Sequence, residues 1–154
     1  MPKKLTFNYE MLAPATITEQ DAKDIQWLNE LLLVKSHKIT KQELIICART
    51  SFVFVARKWQ ENGKGRIIGM ANLVISHLPA SRCEGFVEDV AVAPKHRRRG
   101  IASVLVQQIS DYARERGAHM IYVASHIARQ EGHAFYKKIG FKELEVKVFE
   151  LPLK

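Results

Sequence analysis

The sequence predicts an α+β fold, a mixed sheet with flanking helices built around one βαβ crossover. Three observations predict it. Two apolar runs flank an Asn62-Gly63 turn, the signature of an antiparallel hairpin. An apolar run stopped by Pro94 is followed by a long amphipathic segment and a second short apolar run, the order of a parallel crossover. No linker, low-complexity tract or internal repeat interrupts the chain, so residues 1–154 read as a single domain.

The elements follow in order. Residues 4–11 make a first strand. Thr18 opens a helix with Asp21 three residues on, and Ile25, Leu28 and Leu32 mark its apolar face. Thr40-Lys41-Gln42-Glu43 is a capping box for a second helix that runs to about Arg49. Residues 51–57 and 66–75 are the hairpin strands, and residues 85–93 are the fourth strand. Ile101, Val104, Leu105, Ile109, Tyr112 and Ala113 recur at helical spacing until Gly117 ends the helix. Residues 120–124 make a short fifth strand. A last helix spans about 129–139, closed by Gly140, and residues 141–151 give one or two final strands.

Composition limits the function classes. Hydrophobic residues make up 47% and charged residues 26%, which excludes disorder, fibrous repeats and a disulfide-dense miniprotein. The 24 Lys and Arg against 16 Asp and Glu leave a net +8, and that excess calls for an anionic partner. Nucleic acid, a membrane surface and a phosphate-bearing small molecule all qualify. Half of the excess is local: Lys95, Arg97, Arg98 and Arg99 lie within five positions, and no acid occurs between Asp89 and Asp111. Cys47 and Cys83 have no metal-ligand spacing and no disulfide framework, and the six histidines are not paired, so no metal is expected. Without a signal-peptide core or an apolar run near the ~18 residues of a membrane span, the expectation is a cytoplasmic protein with no membrane partner.

The strand, basic loop and helix around Pro94 carry the chemistry. A helix N-terminus leaves backbone N–H groups unpaired and favours negative charge. Gly100 and Ala102 remove bulk at its approach, and Arg97, Arg98 and Arg99 add donors, so a pyrophosphate is the expected ligand. Neither G-x-x-x-x-G-K-[ST] nor G-x-G-x-x-G is present, which disfavours a Walker site and a dinucleotide fold. Charge alone leaves open a solvated helix cap or a nucleic-acid patch.

The pattern R-x-x-G-x-A at Arg97, Gly100 and Ala102 resembles the acetyl-CoA motif Q/R-x-x-G-x-G/A of the GCN5-related N-acetyltransferases (GNAT). Phe135-Tyr136-x-x-x-Gly140-Phe141 resembles that family's second cofactor segment, and the element order matches along essentially the whole chain. The resemblance implies a GNAT fold: a mostly antiparallel sheet of six to seven strands, about four helices, and splayed central parallel strands at residues 85–93 and 120–124. It implies acetyl-CoA as co-substrate, with no metal. It implies that the backbone of Val90, Ala91 and Val92 pairs with the pantetheine arm, and that the segment Arg97, Arg98, Arg99, Gly100, Ile101, Ala102 and Ser103 cradles the pyrophosphate. Tyr136 then matches the tyrosine that hydrogen-bonds the CoA sulfur and can protonate the departing thiolate.

The attacking amine must lose a proton, and Glu88 is the preferred acceptor, with Asp89, His126 or a positioned water as alternatives. Successive strand residues face opposite sides, so without a bulge only one of Glu88 and Asp89 lines the catalytic face. Gly85-x-x-Glu88-Asp89-x-Ala91-Val92 also resembles glucosamine-6-phosphate N-acetyltransferases, while the segment around Arg129 is closer to bacterial members of varied or unassigned substrate. The implied activity is acetyl transfer to the primary amine of a small molecule, such as an anionic amino-sugar phosphate. The alternatives are a macromolecular acceptor (protein lysine or aminoacyl-tRNA) and a non-enzymatic nucleic-acid-binding domain. Nucleic acid is disfavoured because no aromatic residues interleave the basic ones. Family precedent also allows a homodimer paired through the C-terminal strand.

Overall fold

The computed structural model describes residues 6–32, 38–61, 63–80 and 82–153. They hold five strands: β1 (Phe7–Met11), β2 (Phe52–Lys58), β3 (Ile67–Leu78), β4 (Arg82–Val92) and β5 (Met120–Val123). They also hold four α-helices: α1 (Glu19–Glu30), α2 (Lys41–Thr50), α3 (Ile101–Glu115) and α4 (Gln130–Lys138). The strands form one sheet in chain order, antiparallel from β1 to β4 and parallel between β4 and β5. The residues divide into two compact units, Met1–Ala124 with the sheet and α1 to α3, and Ser125–Lys154 with α4.

Both predicted capping boxes form. The Thr18 hydroxyl accepts from the Asp21 amide at 3.1 Å, and the Thr18 amide donates to the Asp21 carboxylate at 3.0 Å. Thr40 and Glu43 repeat the exchange at the start of α2. These bonds satisfy N–H groups that a helix start otherwise leaves unpaired. Helix α3 buries Ile101, Leu105, Val106, Ile109 and Ala113, a one-sided stripe that covers one face of the sheet. Its Tyr112 ring packs against Phe52 and Phe54 of β2. Phe54 stands opposite Ala71, so Ala71 shares the α3 face and Asn72 belongs to the opposite one. On that opposite face α1 anchors the sheet through charge. Arg57 of β2 donates to Asp21 at 2.8 Å and to Glu10 at 2.6 Å, and Asp24 accepts from the Arg66 side chain at 2.6 Å and the Ile67 amide at 2.9 Å.

The sheet departs from expectation at its ends. Six or seven strands are predicted, yet five are present among the described residues, and none lies in 141–151. Val148 and Phe149 there are 86% and 88% exposed. A strand needs partners for its backbone ladder, and the local residue pattern that suggested one cannot supply them. β3 and β4 are longer than predicted because their ladder continues to the Leu78–Arg82 pair, where polar side chains hide the strand signal. Positions 4 and 5 of the predicted first strand and Asn62 of the hairpin turn lie outside the described residues, but β2 and β3 do pair antiparallel. Among the described residues no helix is long and apolar enough to cross a membrane, and no cluster of His, Cys, Asp and Glu could hold a metal ion.

Candidate active site

β4 and β5 supply the first element of the site. β5 pairs with β4 only from Glu84 to Val87, although β4 runs on to Val92. Among the described residues, no strand pairs the β5-facing edge of β4 over Glu88, Asp89, Val90, Ala91 and Val92. Their other edge stays on β3, with Ala91 opposite Met70 and Val92 opposite Gly69. An unpaired edge is a row of backbone donors and acceptors ready for an extended ligand.

A β-bulge sits at the start of that open stretch. Between the Asn72–Glu88 and Met70–Ala91 pairs, β3 advances two residues and β4 advances three. Asp89 takes up the extra length with φ +53°, in the left-handed region that aspartate tolerates better than most residues. The strict alternation that would have placed only one of Glu88 and Asp89 on the working face is therefore broken at this point. Glu88 is half-buried, and burial followed by the nearby Asp89 charge pushes its carboxyl above the usual value. Burial also raises Asp89, although that residue keeps a solvent-open surface. Neither carboxylate joins an ion pair among the described residues, which removes a salt-bridge role.

The basic loop follows directly. A short 3-10 turn over Pro94–His96 leads to Arg98 and Gly100, both left-handed with φ +58° and +79°. Gly100 is the N-cap of α3, and no side chain caps that helix start. The first intrahelical bond there is from the Val104 amide to the Gly100 carbonyl, so the amides of Ile101, Ala102 and Ser103 have no helical partner. Arg98 and Arg99 make no ion pair among the described residues, whereas Arg97 turns back and donates from Nε to the Val92 carbonyl at 3.0 Å. Arg97 therefore braces the end of β4 with a group the sequence had assigned to the anion. His96 is held below its ordinary pKa by burial and by the charges of Arg99, Lys58 and Lys95, consistent with a dense positive field.

In the second unit Tyr136 is buried on α4 between the rings of Phe135 and Phe141, at 5.2 and 5.6 Å. Its carbonyl accepts from the Phe141 amide, and the Gly140 turn has φ +102°. His126, the alternative base, accepts at Nδ1 from the Ala128 amide at 3.1 Å, and its carbonyl contacts His133 Nε2 at 3.1 Å. The Nδ1 lone pair is thus committed to the turn, which leaves only Nε2 for proton transfer. The sequence reading missed two features, the bulge and Asn72. A strand-like run carries no local mark of where its ladder will slip.

This combination of a mixed sheet, an open central edge and an anion-ready helix start is a fold with a track for an extended, anion-ended ligand. The chain belongs to the acetyltransferase (GNAT) family, whose model matches residues 19–141. It is 31% identical to a glucosamine 6-phosphate N-acetyltransferase of Trypanosoma brucei brucei over 53% of this chain and 54% of that protein. The chain spans about half the length of the first curated relatives it matches. Among solved structures, an aminoglycoside acetyltransferase from an uncultured soil metagenomic sample superposes with TM-score 0.78 at 23% identity, covering 97% of this chain and 100% of that one. An aminoglycoside N-acetyltransferase in complex with CoA gives TM-score 0.76 at 17% identity, covering 99% and 98%. At these identities the superpositions establish the shared fold.

Proposed function

We propose that residues 1–154 are a single acetyl-CoA-dependent N-acetyltransferase domain acting on a primary amine of a small molecule by direct attack. One observation carries this reading: the unpaired edge of β4 beyond Val87 runs straight into a left-handed, cation-rich loop at the uncapped start of α3. That is one continuous track for an extended arm that ends in a pyrophosphate. Val90, Ala91 and Val92 offer backbone groups to the arm. The amides of Ile101, Ala102 and Ser103, with the Gly100 turn and the Arg98 and Arg99 side chains, hold the phosphates. Arg97 secures the junction. When bound, acetyl-CoA supplies an acyl carbon whose bond to sulfur breaks as the bond to the amine nitrogen forms. Glu88 takes the proton from the amine, and the resemblance to the family, rather than any geometry between the two units, assigns Tyr136 the proton delivered to the sulfur.

Calorimetric titration tests the track. Acetyl-CoA is expected to bind at least about tenfold more tightly than acetyl-pantetheine, the worth of one charge-assisted hydrogen bond, with an advantage that shrinks as salt rises. Equal affinities, or no binding of acetyl-CoA, would overturn the reading. Tyr136→Phe is expected to lower kcat about tenfold, below the usual worth of a general acid because a thiolate leaves readily. Acetyl-CoA affinity should stay the same. A lost affinity with unchanged kcat would show that Tyr136 is a packing residue.

A further inference from the structure

Asn72 of β3 stands directly across the ladder from Glu88, at the last regular pair before the bulge. Side chains of such a pair project to the same face with Cβ atoms about 5 Å apart. The Asn72 Oδ1 is buried and accepts no hydrogen bond from any described residue. A buried acceptor in that state is destabilising unless a donor arrives from outside the chain. Its ladder partner Glu88 and the adjoining Asp89 join no ion pair among the described residues, and Asp89 lies near α2, where the Cys47 thiol is pushed up by burial and then by the charges of Asp89 and Glu43. The local charge is thus opposite in sign to that of the Arg98–Arg99 loop.

We infer that Asn72 is an acceptor-binding residue whose carboxamide oxygen takes a hydrogen bond from the amine that Glu88 deprotonates, and that the acceptor is a cationic amine without a phosphate group. This rests on the transferase reading and names the substrate class for it. An ammonium supplies the donor that Asn72 lacks and the positive charge that Glu88 and Asp89 lack. A phosphate on the acceptor would bring negative charge against unpaired carboxylates. The positive excess of the chain does not argue for an anionic acceptor, because half of it lies in the phosphate loop.

The test is calorimetric binding of spermidine, kanamycin and glucosamine 6-phosphate to protein saturated with free CoA, where no turnover occurs. At least one of the two cations is expected to bind tenfold or more tightly than glucosamine 6-phosphate. Asn72→Leu, which keeps the branching at Cγ and removes the acceptor, should weaken that cation at least tenfold and leave CoA affinity unchanged. Asn72→Asp should restore it. Equal or tighter binding of glucosamine 6-phosphate, or cation affinity untouched by Asn72→Leu, would overturn the inference while the transferase reading stands. Failure of the wild-type protein to bind CoA would instead overturn the transferase reading, and this inference with it.

Discussion

Glu88→Gln is expected to lower kcat about a hundredfold or more while acetyl-CoA affinity stays within about twofold, the usual signature of a lost general base. Glutamine keeps the shape and a hydrogen-bonding carbonyl but cannot accept the proton. The wild-type rate should rise with pH as the Glu88 carboxyl ionises. That limb should sit above the ordinary carboxylate range, because burial and then the Asp89 charge favour the protonated form. Glu88→Gln should lose the limb.

Stability should move the other way. A carboxyl whose pKa is raised by folding holds its proton more tightly folded than unfolded. Its ionisation therefore subtracts stability as pH rises through that raised value. The glutamine variant is free of this penalty and should unfold at neutral pH at the same urea concentration as wild type or higher. An unchanged kcat would show that Glu88 takes no proton.

Asp21→Ala is expected to destabilise the protein by about 3 kcal/mol, read as a lowered urea midpoint. Asp21 and Arg57 are 2% and 4% exposed, and their contact at 2.8 Å ties α1 to β2. Removing the carboxylate leaves a buried guanidinium with Glu10 and the Gly65 carbonyl as its remaining partners, and its Nη2 already lacks one. The same change deletes half of the α1 capping box. Asp21→Asn should lose less, because the amide still accepts from Arg57.

The pH dependence separates the two variants. Burial pushes the Asp21 carboxyl up, but the hydrogen bonds from Arg57 and Thr18 and the Arg57 charge outweigh it, so the net shift is down. A lowered carboxylate contributes stability that is present above its ordinary value of 3.8 and lost as pH falls through the folded value. Wild type should therefore shed this stability in acid below about pH 3.8, and Asp21→Asn should not show that loss. A midpoint unchanged by Asp21→Ala would mean that the pair does not hold α1 on the sheet.

What was legible in the sequence was what is local. Thr18 with Asp21, Thr40 with Glu43, and Gly100 before an amphipathic run each state a helix start within four residues, and all three appear. The helix start on which the proposed cofactor track rests was legible as a motif, because R-x-x-G-x-A lies within six consecutive residues. The features that decide its chemistry depend on partners distant in sequence. Asn72 lies in an apolar strand and gains meaning only from its register against Glu88. The bulge at Asp89 exists only as a mismatch between two strands. Arg97 reads in the sequence as a phosphate ligand, and the bond from its Nε to the Val92 carbonyl, which depends on how the loop turns, was not legible there. The final strands were overcalled for the same reason, since residues 141–151 carry a strand-like pattern without a ladder.

The most direct measurement incubates the protein with acetyl-CoA and a cationic amine, then quantifies free thiol and acetylated amine together. One thiol should be released for each amide formed, with both lost together in Glu88→Gln. Thiol release without amide, or no release with any amine although acetyl-CoA binds, would contradict the transferase reading.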